Sequence, residues 1–238
     1  YFILIPYFSA GQLDGSALSD VVDTVFSSQV RYIGAGVMAV AAIWTLVKII
    51  SPIVKGIRDA MRSSHTRHDG GEVPQTERDI PITIVALVIV LSMIPVGGLL
   101  WLFTNGTEIA HNTAMLIAVS VIFTLLAGLL VAAVCGYMAG LIGSSNSPVS
   151  GVGILVVVLT ALAIVAVHGH GSSAAETTAL IAYTLFTAAI VFCIATISND
   201  NLQDLKTGQL VNATPWKQQV ALVIGVVFGA LVIPPVLN

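Results

Sequence analysis

The chain has 238 residues, of which 56% are hydrophobic and only 9% are charged, and its formal net charge is −3. This composition provides no basic surface of the kind that nucleic acid requires, so nucleic acid is excluded as an expected partner. No Asp, Glu, Lys or Arg occurs between Glu108 and Glu176, and two further uncharged runs cover residues 177–199 and 218–238. A water-soluble helix would need polar groups on its outer face, whereas a bilayer core requires about 20 apolar residues per spanning helix. The sequence therefore predicts an integral membrane protein surrounded by the lipid bilayer.

The predicted fold class is all-α, a polytopic transmembrane helical bundle, because the apolar runs lack the alternation of a membrane barrel. We expect about six spans plus a broken or re-entrant element. In chain order the spans cover about residues 32–53, 82–103, 113 onwards, 152–167, 178–197 and 218–234. The chain starts in apolar sequence without Met or a basic flank, which we interpret as the end of a truncated helix. We therefore expect a fragment whose partner is the remaining part of the same protein.

The distribution of charged residues divides the chain into four segments. Residues 1–30 are interpreted as the end of the truncated helix and an external loop, 31–54 as the first span, 55–81 as a charged cytoplasmic loop, and 82–238 as the remaining spans. Lys and Arg are concentrated in the loops 55–80 and 198–217 and are absent from the loops 105–112 and 169–177. The positive-inside rule places the two basic loops in the cytoplasm and the other two outside. We expect a multi-pass protein of the cell (inner or plasma) membrane.

The third apolar segment is too long for a simple span. From Thr113 to Ile142 it would extend about 45 Å as a straight helix, against a hydrocarbon core of about 30 Å. Glycines and polar residues follow it, and both weaken a helix. We therefore predict a broken or re-entrant element at residues 143–153, which is tolerated at membrane depth only beside protein or a water-filled cavity. Its candidate substrate-binding residues are Ser144, Ser145, Asn146 and Ser147, and the alternative interpretation is a short cytoplasmic turn.

A second polar segment follows the fifth span, at residues 198–208. Asp200 and Asp204 are four residues apart and would share one face of a helix, and Lys206 follows closely. These three residues are candidates for a gate or for coupling. The alternative, which the sequence alone favours, is a solvated cytoplasmic loop.

Other chemistry is weakly indicated. His168, His170 and Glu176 suggest a metal, but two histidines flanking a glycine make a poor site without further ligands, so we interpret them as an outer loop and predict no metal. His111 carries less weight still. Cys135 and Cys193 are interpreted as small apolar residues. No cofactor motif and no serine-protease pattern is present, so we expect neither a cofactor nor an enzyme.

Three stretches together resemble the oligopeptide transporter family, which includes the yellow stripe-like carriers of metal chelates. They are RYIGAG with the following WTLVK, from Arg31; CGYMAGLIGSSNSPVSG, from Cys135; and LQDLKTG, from Leu202, followed by Thr214, Pro215 and Gln218. The last stretch is similar to the family's Asp-x-Lys-Thr-Gly segment. The likeness extends from about Arg31 to the C-terminus and is greatest to the prokaryotic branch.

The resemblance implies a longer secondary active transporter with more spans and inverted repeats, which takes up oligopeptides or peptide-like metal chelates with protons. It also implies that residues 143–151 line the substrate path and that Asp204 and Lys206 form a gate or structural pair at the cytoplasmic mouth. The expected partners are a small peptide or metal-chelate substrate, protons and the bilayer, and a homo-oligomer is left open. The competing hypothesis is a non-catalytic membrane assembly subunit, whose helices only pack against a conducting partner.

Overall fold

The computed structural model describes residues 2–10, 18–68 and 74–237, and within these ranges it contains helices, turns and no strand. The all-α prediction is therefore confirmed. The α-helices are α1 (Leu4–Ser9), α2 (Leu18–Val25), α3 (Arg31–His68), α4 (Ile82–Thr104), α5 (Thr113–Ile142), α6 (Val149–His168), α7 (Ala174–Leu210) and α8 (Pro215–Leu237). A π-helical segment, Phe26–Val30, joins α2 to α3.

Six helical segments of the described chain are long and apolar enough to cross a membrane, as predicted. They are Leu18–Gly56, Gln75–Thr104, Ala110–Ile142, Val149–His168, Ala174–Leu210 and Pro215–Leu237. The last of these contains α8, which buries no residue within the described chain. Its apolar faces, like those of α4, therefore suit contact with lipid.

Two loops were predicted to begin earlier in the chain than the structure shows. Residues 55–68 continue α3, and residues 198–210 continue α7, although both were expected to be loops. The reason is that loss of apolar character ends a membrane span but does not end a helix, since the backbone hydrogen bonds continue in water. Residues 69–73 of the first predicted loop lie outside the described residues.

The centre of the bundle is the pair α5 and α7, which run parallel. A Cβ atom added at Gly128 would lie 3.0 Å from Cδ1 of Ile194, and one added at Gly136 would lie 2.7 Å from Oγ of Ser198. The contacts thus advance in the same direction along both helices. Glycine permits this close approach, which matters in lipid because helices there associate through van der Waals packing rather than the hydrophobic effect.

The other helices surround this pair. α6 runs antiparallel to α7, because Gly153 near its start lies against Phe192, while His168 at its end contacts Glu176. α3 approaches the start of α6 at Gly151. Two apolar clusters fill the interior; one contains Val131, Cys135, Val152, Val156, Ala188, Val191 and Ala195, and the other contains Leu100, Ile109, Leu116, Ile164, Leu180 and Tyr183.

The segments before α4 and at the start of α8 meet at one end of the bundle. Nε2 of Gln75 donates to Oγ1 of Thr214 at 3.0 Å, and the backbone N–H of Ile80 donates to Oε1 of Gln219 at 3.1 Å. The positive-inside rule assigns both segments to the cytoplasm. Their contact is consistent with that assignment, and the orientation stays a prediction.

Candidate functional site

The predicted break after α5 is a compact turn. Gly143 ends α5 with φ 86° and ψ 161°, a conformation that is essentially restricted to glycine. A single 3₁₀ turn, Ser144–Asn146, follows, and α6 begins at Val149 directly after Pro148. Residues 149–153, which were included in the predicted broken element, instead form the first turn of α6. The helix can begin here because Pro148 is its N-cap, a position at which the missing N–H costs no helical hydrogen bond. The membrane depth of the turn stays a prediction.

Of the four predicted substrate-binding residues, Ser144 and Ser147 are half-buried and Ser145 is exposed. Oγ of Ser147 donates to the backbone carbonyl of Cys135 at 3.4 Å, which folds the turn back onto α5. Asn146 is the last residue of the 3₁₀ turn, and its side chain lies outside the described part of the structure. The serine-rich turn is therefore hydrogen-bonded to α5 through Ser147, whereas the side chain of Ser145 is exposed.

The polar segment of α7 contacts this turn. Nδ2 of Asn199 donates to the backbone carbonyl of Ser144 at 3.4 Å, and Oγ of the adjacent Ser198 donates to the carbonyl of Ala132 at 2.7 Å. Asn199 is only 6% exposed, yet its Oδ1 has no hydrogen-bond partner within residues 2–10, 18–68 and 74–237. Because most buried polar atoms are hydrogen-bonded, Oδ1 is an acceptor available to a further donor. We call Ser144, Ser147 and Asn199 the polar junction.

The three candidates for a gate lie further along α7, and all three are exposed. Asp204 lines a groove of about 460 Å³ between α7 and α8, together with Gln218 and Gly225. Nζ of Lys206 donates to Oε1 of Gln209 at 2.8 Å. The expected structural pair of Asp204 with Lys206 is not formed, because residues two apart do not face each other on a helix. Asp200 shares the outer surface of α7 and lines no part of that groove.

Gln218 on α8 packs against α7 at Gly208. Its side chain occupies the space that a Cβ at Gly208 would need, so glycine at this position permits α8 to approach α7 closely. Oε1 of Gln218 is buried and has no hydrogen-bond partner within the described ranges. Asp204 therefore faces a groove whose wall contains an unpaired acceptor.

Sequence reasoning missed a group of buried hydroxyls between α5 and α7. Ser120, Thr124, Tyr183 and Thr187 are each at most 1% exposed, and none of their side-chain oxygens makes a well-formed hydrogen bond in the part of the chain that the structure describes, although the hydroxyl of Tyr183 lies near those of Ser120 and Thr187. The available signal was the four-residue spacing of Ser120 with Thr124 and of Tyr183 with Thr187, which puts each pair on one helix face. Asn199 was noticed only as a member of the polar segment, since its contact with Ser144 requires the packed helices.

Taken together, a lipid-suited helical bundle with polar groups collected inside it defines a multi-pass membrane protein. The sequence pattern of the family described as OPT oligopeptide transporter protein matches residues 1–238. A Haemophilus influenzae protein that is named as an oligopeptide transporter is 43% identical over 251 residues, which cover 99% of this chain and 38% of that protein. The chain therefore belongs to the oligopeptide transporter family, and it spans less than half the length of this relative. No solved structure matches it.

Proposed function

We propose that the chain forms part of a secondary active transporter that takes up oligopeptides or peptide-like metal chelates with protons, by alternating access. Membership of the oligopeptide transporter family supports transport of a peptide-like solute. The polar junction supports the proposal that this part of the protein contacts the solute. A peptide offers N–H donors and carbonyl acceptors, and the junction combines hydroxyls with a side-chain amide.

The observation that carries this proposal is the unpaired Oδ1 of Asn199 beside the serine-rich turn. An unpaired acceptor is unfavourable where the packed helices keep water away from it, as they do at Asn199. A substrate N–H would provide the missing donor. In transporters, interrupted helices commonly expose free backbone and side-chain groups to the substrate in this manner.

In the same proposal, Asp200, Asp204 and Lys206 contribute to a gate or to coupling at the cytoplasmic mouth. Asp204 is the strongest of the three, because it lines the α7–α8 groove, whose other lining residues are mostly apolar. Opening or closing this groove would change the surroundings of the carboxylate. A carboxylate whose surroundings change in this way also changes its proton affinity, which coupling to protons requires.

The experiment is uptake by the full-length protein in proteoliposomes with an inwardly directed proton gradient. A panel of short peptides and ferric chelates is compared for wild type and for Asn199→Ala. We expect the variant to reduce uptake of the preferred solute about tenfold, as loss of a hydrogen bond or two of about 1 kcal/mol each implies.

The matched control is Ser92→Ala on α4, where the hydroxyl donates only to the carbonyl of Ile89 in its own helix. This variant should transport as wild type does. Equal uptake by Asn199→Ala and wild type would remove the polar junction from the substrate path. Absence of uptake of every solute by wild type would instead favour the assembly-subunit hypothesis.

A further inference from the structure

Three potential metal ligands from separate segments meet at the end of the bundle opposite to the polar junction. His111 belongs to a 3₁₀ turn before α5, His168 is the last residue of α6, and Glu176 lies in the first turn of α7. One ligand atom from each residue lies within 4.8 Å of the other two. The sequence suggested His168, His170 and Glu176 and was interpreted as binding no metal for want of further ligands; the fold instead brings His111 from the α4–α5 connection to His168 and Glu176.

The geometry of the pair His168 and Glu176 is close to what a metal needs. Nε2 of His168 and Oε1 of Glu176 are 3.0 Å apart, and their side chains are 2% and 12% exposed. Ligand atoms at about 2.0–2.1 Å from a tetrahedral zinc ion are separated by about 3.3 Å, so a small widening admits the ion. The ring of His111 lies beside that of His168, with 5.1 Å between the centroids, and it is exposed and able to close the remaining distance.

Each of the three side chains is also held through its other polar atom. Oε2 of Glu176 accepts from the backbone N–H of Ser172 at 2.7 Å and from the Ser172 hydroxyl, which leaves Oε1 for an ion. Nδ1 of His168 lies 3.4 Å from the amide of Asn112, and Nδ1 of His111 lies 3.1 Å from the carbonyl of Glu108. Outer contacts of this kind orient metal ligands, and the Asn112 amide can present its oxygen after a half-turn.

We propose that His111, His168 and Glu176 bind a divalent transition-metal ion of the zinc class through two imidazole nitrogens and one carboxylate oxygen. Two histidines with one carboxylate form a common ligand set for such ions. Binding requires both coordinating nitrogens to be free of protons, so His168 binds the ion as the neutral tautomer whose proton is on Nδ1, where the side-chain oxygen of Asn112, after its half-turn, accepts it. The exposed position of His111 leaves a fourth coordination position for water.

The test uses purified full-length protein that has been stripped with a chelator and titrated with Co²⁺, followed by visible absorption. We expect one equivalent of Co²⁺ to bind with the intense bands of a four- or five-coordinate site. His111→Ala should lose that equivalent or bind it at least about tenfold more weakly. Co²⁺ binding to wild type and to His111→Ala is measured without an uptake assay, so the result does not depend on the proposed transport function.

His170→Ala is the matched control, because His170 is an exposed histidine two residues from His168 and is not part of the cluster. It should bind Co²⁺ as wild type does. In a second readout, Zn²⁺ should raise the thermal unfolding temperature of wild type and His170→Ala but not of His111→Ala, since a ligand stabilises only the form that binds it. Equal binding and equal stabilisation for His111→Ala and wild type would overturn the proposal, as would a wild type without stoichiometric Co²⁺ binding.

Discussion

The two connections at either end of α6 each begin with a glycine in the same backbone conformation, but their polar groups are arranged differently. Gly143 has φ 86° and its N–H donates to the carbonyl of Ala139 at 3.0 Å; Gly169 has φ 85° and its N–H donates to the carbonyl of Val165 at 2.9 Å. Each glycine ends a helix in a conformation that other residues rarely adopt. The two connections differ after the glycine, because a 3₁₀ turn follows Gly143 and only bends follow Gly169, and they differ in their side chains as well.

At the Gly169 connection, both carboxylate oxygens of Glu176 have a partner within the described residues. Glu176 accepts from Ser172 through one oxygen and contacts His168 through the other, and its own backbone N–H donates to Oγ of Ser173. At the Gly143 connection, Asn199 donates once and keeps an unpaired acceptor within the described residues. A closed network rigidifies its surroundings, whereas an unpaired buried group is a place for a ligand. On the proposals above, the Gly143 connection contacts the transported solute, whereas the Gly169 connection is a fixed joint between α6 and α7 to which a metal ion binds.

The largest expected effect comes from replacing the two glycines themselves. Gly143→Ala and Gly169→Ala should each destabilise the folded protein by about 1–3 kcal/mol, because alanine is strained at these backbone angles. Thermal unfolding in detergent checks this. Uptake per folded molecule should fall about tenfold for Gly143→Ala alone, since the loss of position of the turn weakens substrate contacts worth about 1 kcal/mol each. Equal uptake by the two variants would contradict the proposed difference between the connections.

The close approach of α5 to α7 gives the next prediction. A Cβ at Gly136 would lie 2.7 Å from Oγ of Ser198 and 2.9 Å from Cγ of Leu202, whereas a Cβ at Gly140 meets nothing within 4 Å. Gly136→Ala should therefore cost about 1–3 kcal/mol in the free energy of unfolding through overpacking. Gly140→Ala is the control, and it should be neutral or stabilise the helix by up to about 1 kcal/mol. Equal unfolding temperatures for the two variants would show that this interface yields without strain.

The smallest expected effect concerns the groove beside α8. Asp204→Asn should lower proton-driven uptake by about two- to fivefold, because an exposed carboxylate contributes less than about 1 kcal/mol. Glu108→Gln provides a control at the opposite end of the bundle, where the carboxylate is also exposed. Initial uptake rates across a series of proton gradients measure both. Equal rates for the two variants would return Asp204 to the status of a solvated surface residue.

The sequence was sufficient to predict those features of the fold that the bilayer or the local backbone imposes. Uncharged runs of spanning length predict the helices, and a glycine followed by serines and a proline predicts the interruption after α5. The ends of α3 and α7 were misplaced, because a helix continues where its apolar character stops.

Contacts between distant segments could not be predicted in the same way. Ser144 meets Asn199, and His111 meets His168, only because α5, α6 and α7 pack in a particular register. No local pattern specifies that register. His111 was therefore a weak candidate ligand from the sequence, although the structure places it beside His168 and Glu176.

The most direct test of the central claim is the accessibility of the turn between α5 and α6 to water and to substrate. Ser145→Cys and the control Thr207→Cys, each in full-length protein with Cys135 and Cys193 replaced, are labelled with a membrane-impermeant thiol reagent from the cytoplasmic side. A substrate-lining turn predicts labelling of both positions and slower labelling of Ser145→Cys alone when a transported solute is present. Labelling of Ser145→Cys that is unchanged by the solute would contradict the account.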